Sequence, residues 1–267
     1  VTAYRRIGKQ ESSNTQAEAD HSEPLVALRS SSCEEDAEVA ARAGEFDTFL
    51  FIRGEKALLK QLAHTWSGLW SDRALHTREL LGTSMSFAGG GVIVQTIVNS
   101  RVSGVLQTVN IARSEFREIV INAGWGLGEG IVSGTVAADQ IIVSKEGDLE
   151  KEPLRFSYIT ADKRDYVVFN KRAGWGTIRA EAPYHKRLRP ALEYQELCDL
   201  VAVAARMESS YGYPLDIEFG IEGSRLWILQ VRPVPTSLSL LQETLQNYPL
   251  TRAEGVLDSI QGEGQHD

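Results

Sequence analysis

The sequence predicts an α+β fold in two lobes, and three observations carry that expectation. Short β-rich runs recur from Leu25 to Val231, stretches at helical spacing are few, and Gly89-Gly90-Gly91 separates a helical segment from a buried-strand pattern. At 267 residues the chain has material for one large core or two lobes, since single cores stop growing near about 300 residues.

In chain order, residues 1–23 are expected to form a solvated connection, because Ser, Gln, Glu and Asn dominate from Gly8 to Glu23 without apolar periodicity. Leu25-Val26-Ala27-Leu28 reads as a strand that delivers Arg29 and the serines 30–32, and an acidic, Ala-rich loop follows. Ala43 to Ile52 sets a glycine before a β-rich stretch. Leu58, Leu62, Trp66 and Leu69 then predict one long amphipathic helix over Glu55–Arg78. The glycine run is the expected lobe boundary, giving a first lobe over 24–88 and a second over 89–235. Within the second, Val92–Val98, Gly104–Thr108 and Ile119–Ile121 read as strands. Short β-like runs alternate with charged turns from Ile141 to Ile178, and Leu197, Leu200, Val201, Ala204 and Ala205 mark a helix. Leu215–Gly220 and Leu226–Val231 form a strand pair around Glu222-Gly223-Ser224, and 236–267 read as a linker or tail.

Composition narrows the function classes. With 42% hydrophobic and 24% charged residues the chain resembles an ordinary soluble globular protein, and no apolar run reaches the roughly 18 residues of a membrane helix. A net charge of −8 and a pI near 5.3 argue against nucleic-acid binding, which demands a basic face. Cys33 and Cys198 have no metal-ligand or framework spacing, which points to a reducing cytoplasm. The chain opens Val-Thr-Ala-Tyr-Arg-Arg, with no initiator Met and no apolar signal core, and so reads as the interior of a longer polypeptide.

The most informative residues are Asp216 and Glu218 on one strand of the final pair and Gln230 and Arg232 on the other. Residues two apart share a face, so an acidic pair meets an amide and a guanidinium. Mg²⁺ favours carboxylate oxygen together with phosphate oxygens, and Arg offers planar donors to a phosphate. The competing interpretation is a cross-strand salt bridge on an exposed sheet. A second group is Arg29, Gly44 and Thr48: the glycine lets backbone N–H groups close on a phosphate and the hydroxyl adds a donor, although Gly44 also suits a simple turn. The run Gly124 to Gly130 lacks the Walker spacing and reads as a tight connection. Lys9 reads as a solvated lysine. His21, His64, His76, His185 and His266 have no metal-ligand spacing, and no nucleophile elbow occurs.

From Pro24 to Pro235 these segments resemble, in order, the PEP/pyruvate-binding ATP-grasp domain of the pyruvate phosphate dikinase family, which includes phosphoenolpyruvate synthase and rifampicin phosphotransferase. Val26-Ala27-Leu28-Arg29-Ser30-Ser31 is similar to the family's VAVRSS, and the segment from Ala43 is similar to its AGQxxTxLN. Trp66 to Ala74, Val94 to Val98, Ser103 to Leu106, Gly126 to Glu129 with Val132 to Gly134, and Asp216-Ile217-Glu218 with Gln230-Val231-Arg232-Pro233 complete the series.

The resemblance implies an ATP-grasp nucleotide fold whose first lobe is incomplete, with Mg·ATP between the lobes. It implies that Arg29, Gly44 and Thr48 contact the ATP phosphates, and that Gln95 and the backbone near Ile97 hold the adenine edge. Glu218 and Gln230 would ligate Mg²⁺, and Arg232 would brace the transferring phosphate, making Arg29 and Arg232 the catalytic cations. The partners implied are a phosphohistidine domain and a substrate domain, with pyruvate as the foremost acceptor. A rifampicin-phosphotransferase-like domain, a non-catalytic nucleotide-binding partner subunit and a structural remnant are the rivals. The family's Gly-Gly-Lys segment, the Thr-Ser-His phosphocarrier and the pyruvate-binding barrel have no counterpart in this sequence, and Ser30 to Asp36 departs from the usual Ser-Ser-Ala-x-x-Glu-Asp. The chain alone is therefore expected not to complete a dikinase cycle.

Overall fold

A computed structural model of the chain describes residue 4 and residues 23–32, 48–81, 90–147, 149 and 153–234. Gly44, the tail at 236–267 and all of the 1–23 connection except Tyr4 and Glu23 lie outside the described residues. The elements are β1 (Leu25–Ser32), β2 (Phe49–Arg53), α1 (Glu55–Gly68), α2 (Asp72–Leu81), β3 (Gly90–Thr96), β4 (Val102–Gln107) and β5 (Glu118–Trp125). There follow α3 (Glu129–Val132), β6 (Asp139–Ser144), β7 (Phe156–Ile159), β8 (Asp165–Phe169) and β9 (Thr177–Glu181). The last are α4 (Tyr184–Arg187), α5 (Tyr194–Tyr211), β10 (Leu215–Glu222) and β11 (Arg225–Pro233). Helices and mostly antiparallel sheets make the α+β class expected from sequence. No described helix is long and apolar enough to cross a membrane.

The chain forms two compact units, Val1–Asn99 with Asp165–Glu181, and Ser100–Arg164 with Ala182–Asp267. The change-over thus falls at Asn99 rather than at the glycine run, because Gly90 and Gly91 open β3, which pairs with β1 from Val26↔Thr96 to Ser32↔Gly90. The hairpin Asp165–Glu181, expected within the second lobe, belongs to the first unit.

In the first unit the sheet order is β2-β1-β3. Val26 and Leu28 alternate inward and meet Ile52 and Leu58, with Tyr4 closing the cluster. Tyr4 corrects the expectation of a wholly solvated start. It is 3% exposed, its hydroxyl donates to the Pro24 carbonyl at 2.8 Å and accepts from Gly54 N–H at 2.9 Å, and burial raises its pKa. The single helix expected over Glu55–Arg78 is two. Gly68 ends α1, and the Ser71 hydroxyl accepts the Ala74 N–H at 3.3 Å, restarting the chain as α2. Leu58 and Leu69 are buried as the spacing predicts, whereas Trp66 faces solvent.

The second unit is a six-stranded antiparallel sheet in the order β11-β10-β4-β5-β6-β7. Alternation sends Leu106, Ile121, Ile141, Ile217 and Phe219 to one face, where Leu197, Leu200, Val201 and Ala204 of α5 pack on them. A capping box of Glu193 and Glu196 starts α5 and Gly212, at φ 80°, ends it. Lys145 ties α5 to the sheet through Glu208 at 2.7 Å, and Glu208 also accepts from Thr108 at 2.8 Å. The segment leading into α5 closes a buried polar node at the start of β6. Asp139 accepts from Lys163, from the Tyr158 hydroxyl at 2.9 Å and from the Ala161 and Ala191 N–H groups at 2.8 Å. Burial raises the Tyr158 pKa strongly.

Candidate functional site

The expected site residues fall on one face of each sheet. In the small sheet, Val26 and Leu28 point toward α1, so Ala27 and Arg29 point the opposite way. Gln95 pairs with Ala27 and Ile93 with Arg29, which puts Gln95 on the Arg29 face. Ile97 continues it, its N–H donating to the Leu25 carbonyl at 3.4 Å. Leu28 pairs with Phe49, and that register continued by one residue sets the exposed Thr48 opposite Arg29. Arg29, Thr48, Gln95 and Ile97 therefore share the face turned from α1.

In the large sheet the face turned from α5 carries the second group. Asp216 pairs with Arg232 and Glu218 with Gln230, so all four side chains emerge together, as their spacing predicts. Gln107 of β4 lies opposite Asp216 and Val105 opposite Glu218. Arg232 donates from Nε and Nη2 to Asp216 Oδ2 at 2.7 and 2.6 Å. The cross-strand salt bridge weighed as the competing interpretation thus exists, but Asp216 is only 5% exposed, so it is not a surface pair. Asp216 Oδ1 is buried and has no hydrogen-bond partner. Such an acceptor carries a desolvation cost of about 1–3 kcal/mol unless something donates to it or coordinates it. The register shifts between Glu218 and Phe219, leaving Leu229 as an extra residue beside Gln230. A bulge here re-aims the amide carried by the strand.

Sequence reasoning gave Asp216 a place in the motif but no role of its own. The available signal was its i, i+2 spacing from Glu218; what spacing could not reveal was an oxygen left without a donor. Trp227, unremarked in the sequence, pairs with Gly220, and the Arg225 guanidinium lies 3.9 Å over its ring. The glycine run behaves as the tight connection expected: a Cβ on Gly124 would approach Ile131 Cδ1 to 3.1 Å, and Ser103 donates to the Gly126 carbonyl at 2.7 Å.

Among the described residues no three His, Cys, Asp or Glu side chains gather to hold a metal by themselves. The donors on the β10–β11 face are oxygens: two carboxylates and an amide. That set fits Mg²⁺, which commonly takes one or two carboxylates and completes its shell with water and phosphate oxygens.

A chain with these two polar sheet faces matches, over residues 2–247, the family described as pyruvate phosphate dikinase, AMP/ATP-binding domain, and belongs to it. It is a nucleotide-binding domain of that family of phosphotransferases. The phosphoenolpyruvate synthase of Pyrococcus furiosus is 34% identical over 222 residues, covering 80% of this chain and 26% of that protein. An uncharacterized phosphotransferase, YvkC, of Bacillus subtilis is 34% identical over 212 residues, covering 79% of this chain and 24% of that protein. The prodigiosin synthesizing transferase PigC of Serratia marcescens is 31% identical over 225 residues, covering 83% and 24%. The chain thus spans about a quarter of the length of these relatives.

Proposed function

We propose that the chain is the Mg·ATP-binding part of a phosphoenolpyruvate-synthase-like phosphotransferase with an ATP-grasp-type nucleotide fold. The phosphoryl group would pass from ATP to a histidine on another domain or subunit. The observation that carries this reading is the buried, unpartnered Asp216 Oδ1 beside Glu218, Gln230 and Arg232 on one sheet face. An acceptor left without a donor in such a set suits a ligand that brings positive charge. Glu218 and Gln230, with Asp216 beside them, would hold Mg²⁺, which neutralises charge on the phosphate oxygens.

The chain's own residues act by positioning. Asp216 fixes the Arg232 guanidinium so that its remaining N–H groups can meet phosphate oxygen, an arrangement that costs no reorganisation as charge develops. Arg29 and Thr48 serve the phosphates from the small-sheet face, and Gln95 and the backbone at Ile97 the base. Gly44 belongs to the same reading. In the transfer itself a phosphorus–oxygen bond of ATP breaks as a bond forms to the imidazole nitrogen of the acceptor, and that imidazole releases its proton. Because relatives include proteins named phosphoenolpyruvate synthase, pyruvate is the foremost final acceptor, and the cytoplasm is the compartment that suits it.

The test is calorimetric titration with Mg·ATP of the chain extended at its N-terminus, alongside Glu218→Ala. Saturating ligand at about 100 times Kd should stabilise the native state by about 2.7 kcal/mol, a rise of roughly 5–10 °C in melting temperature. Glu218→Ala should lose at least about tenfold in affinity, on the order of 1.4 kcal/mol. Absence of Mg·ATP binding by the extended wild-type protein would sink the proposal. Supplying a histidine domain separates an enzyme, which labels it, from a partner subunit that binds without transfer.

A further inference from the structure

Phe51 holds a backbone conformation that bulky residues rarely adopt. Its φ is 56°, in the left-handed region where a Cβ crowds the following carbonyl oxygen and where glycine is the usual occupant. The position is also the point at which β2 changes register. Val26 pairs with Ile52 but Leu28 with Phe49, so Leu50 and Phe51 together face Ala27, and β2 carries one residue more than β1. Phe51 is 1% exposed. Its ring stacks on Phe169, with centroids 4.5 Å apart and planes at 23°. Phe169 ends β8, in the hairpin that Asp165 and Arg179 pin together at 2.6 Å and that joins this unit from far along the chain.

The extra residue decides which way Thr48 faces. Without it, the pairing of Val26 with Ile52 would continue to set Thr48 opposite Ser30, on the α1 side of the sheet. With it, Thr48 stands opposite Arg29, on the face that also carries Gln95. A one-residue slip moves a strand's side chains to the other face, and the bulge at Phe51 makes that slip locally. Left-handed backbone at an aromatic residue persists only where its surroundings over-determine it, and here the surroundings include the Phe169 ring.

We infer that Phe169 is a positioning residue for the nucleotide phosphates: its stack on Phe51 holds the β2 bulge that brings Thr48 into register with Arg29. The inference rests on the nucleotide reading above, in which Arg29 and Thr48 meet phosphate while Gln95 and Ile97 meet the base. It adds to that reading a hairpin residue more than a hundred positions away along the sequence, one that touches no phosphate itself.

The same N-terminally extended protein, as wild type, Phe169→Ala and Phe169→Tyr, is examined for amide hydrogen exchange in Thr48–Arg53 and for calorimetric affinity toward Mg·ATP and toward adenosine. In Phe169→Ala the loss of an aromatic stack should speed exchange at Thr48–Phe51 and raise the Kd for Mg·ATP, each by about five- to tenfold. Adenosine, which has no phosphates, should bind within about twofold of wild type, and Phe169→Tyr, which keeps the stack, should restore both readouts. A merely structural Phe169 would weaken Mg·ATP and adenosine alike. That result, or unchanged exchange across Thr48–Arg53, overturns the inference. If the wild-type protein bound neither ligand, the nucleotide reading would fail and take the positioning role with it, whereas exchange would still report whether Phe169 holds β2.

Discussion

The three-stranded and six-stranded sheets each carry a bulge on a strand beside the candidate phosphate-side residues, yet the two are stabilised differently. In β11 the extra residue, Leu229, keeps ordinary backbone, and the sheet is backed by a core that holds eighteen buried residues among those described. In β2 the extra residue is a left-handed Phe51, in a small sheet whose described core holds five. Left-handed backbone costs about 1–2 kcal/mol. Burying a phenylalanine contributes about 1.5–3 kcal/mol, and a stacked ring about 0.5–1.5 kcal/mol more. The comparison teaches that a wide sheet over a large core can bend an edge strand by bulging alone, whereas a narrow sheet over a small one draws on a ring from outside the sheet to hold the same kind of distortion.

The comparison breaks most sharply if the large sheet is disturbed at Gly104, where β4 leaves no room for a side chain. A Cβ on Gly104 would lie 2.1 Å from the Asn122 carbonyl oxygen, 2.9 Å from Phe219 Cζ and 3.0 Å from Ala123 Cα. Two of those neighbours are backbone and cannot swing away. Gly104→Ala should therefore cost upwards of about 3 kcal/mol by denaturant unfolding, at or past the upper end of overpacking effects. A variant within about 0.5 kcal/mol of wild type would show that the sheet's core is not the rigid backing supposed here.

Next in size is the polar node around Asp139. Lys163 and Asp139 are 1% and 0% exposed, and Lys163→Met would leave the Asp139 carboxylate buried with only the Tyr158 hydroxyl and two backbone donors. The expected loss is about 3–5 kcal/mol, and the double variant Lys163→Met with Asp139→Leu should recover part of it, because an apolar pair avoids the uncompensated charge. A double variant no better than the single would mean that the backbone donors, not the lysine, carry the node.

Much of this comparison was legible beforehand. Period-two alternation put Asp216 with Glu218 and Gln230 with Arg232 on shared faces, and Gly223, with φ 60°, marked the turn between the strands. The turn register alone would set Glu218 opposite Leu229, and the bulge that shifts it to Gln230 had no local signal. The apolar spacing of Leu197, Leu200, Val201 and Ala204 located α5. What stayed hidden were features that depend on residues distant in sequence. Nothing local tells Asp165–Glu181 to join the first unit, or Lys163 to find Asp139. The helix break at Ser67-Gly68 runs against the unbroken periodicity of Leu58, Leu62, Trp66 and Leu69, although Ser71-Asp72 is a ready restart signal. Phe51 had a signal too: the motif AGQxxTxLN, laid on the chain from Ala43, ends in Asn where this chain has Phe51. Asn tolerates left-handed backbone and phenylalanine does not, so the departure marks the strain.

The smallest expected effect lies where the chain leaves the large-sheet unit, and it sharpens the contrast between buried and exposed charge. Asp162 accepts from Arg187 Nε at 2.9 Å and Nη2 at 2.7 Å, and from Arg164 Nε at 2.8 Å. The Arg187 hydrogen bonds, then those of Arg164, lower its pKa from the ordinary 3.8 to about 2. A carboxyl held below its unfolded value contributes stability above that value and loses it as pH falls through the folded one. The contribution of Asp162 should thus be whole above pH 3.8 and gone below about pH 2. Asp162→Asn should be slightly less stable than wild type at neutral pH, and the two melting curves should converge across that acid window. Because the group sits at the surface, the gap should also shrink in high salt, and it should stay well below that of Lys163→Met. A gap that persists undiminished below pH 2 would show that the asparagine disturbs the turn itself rather than removing a charge.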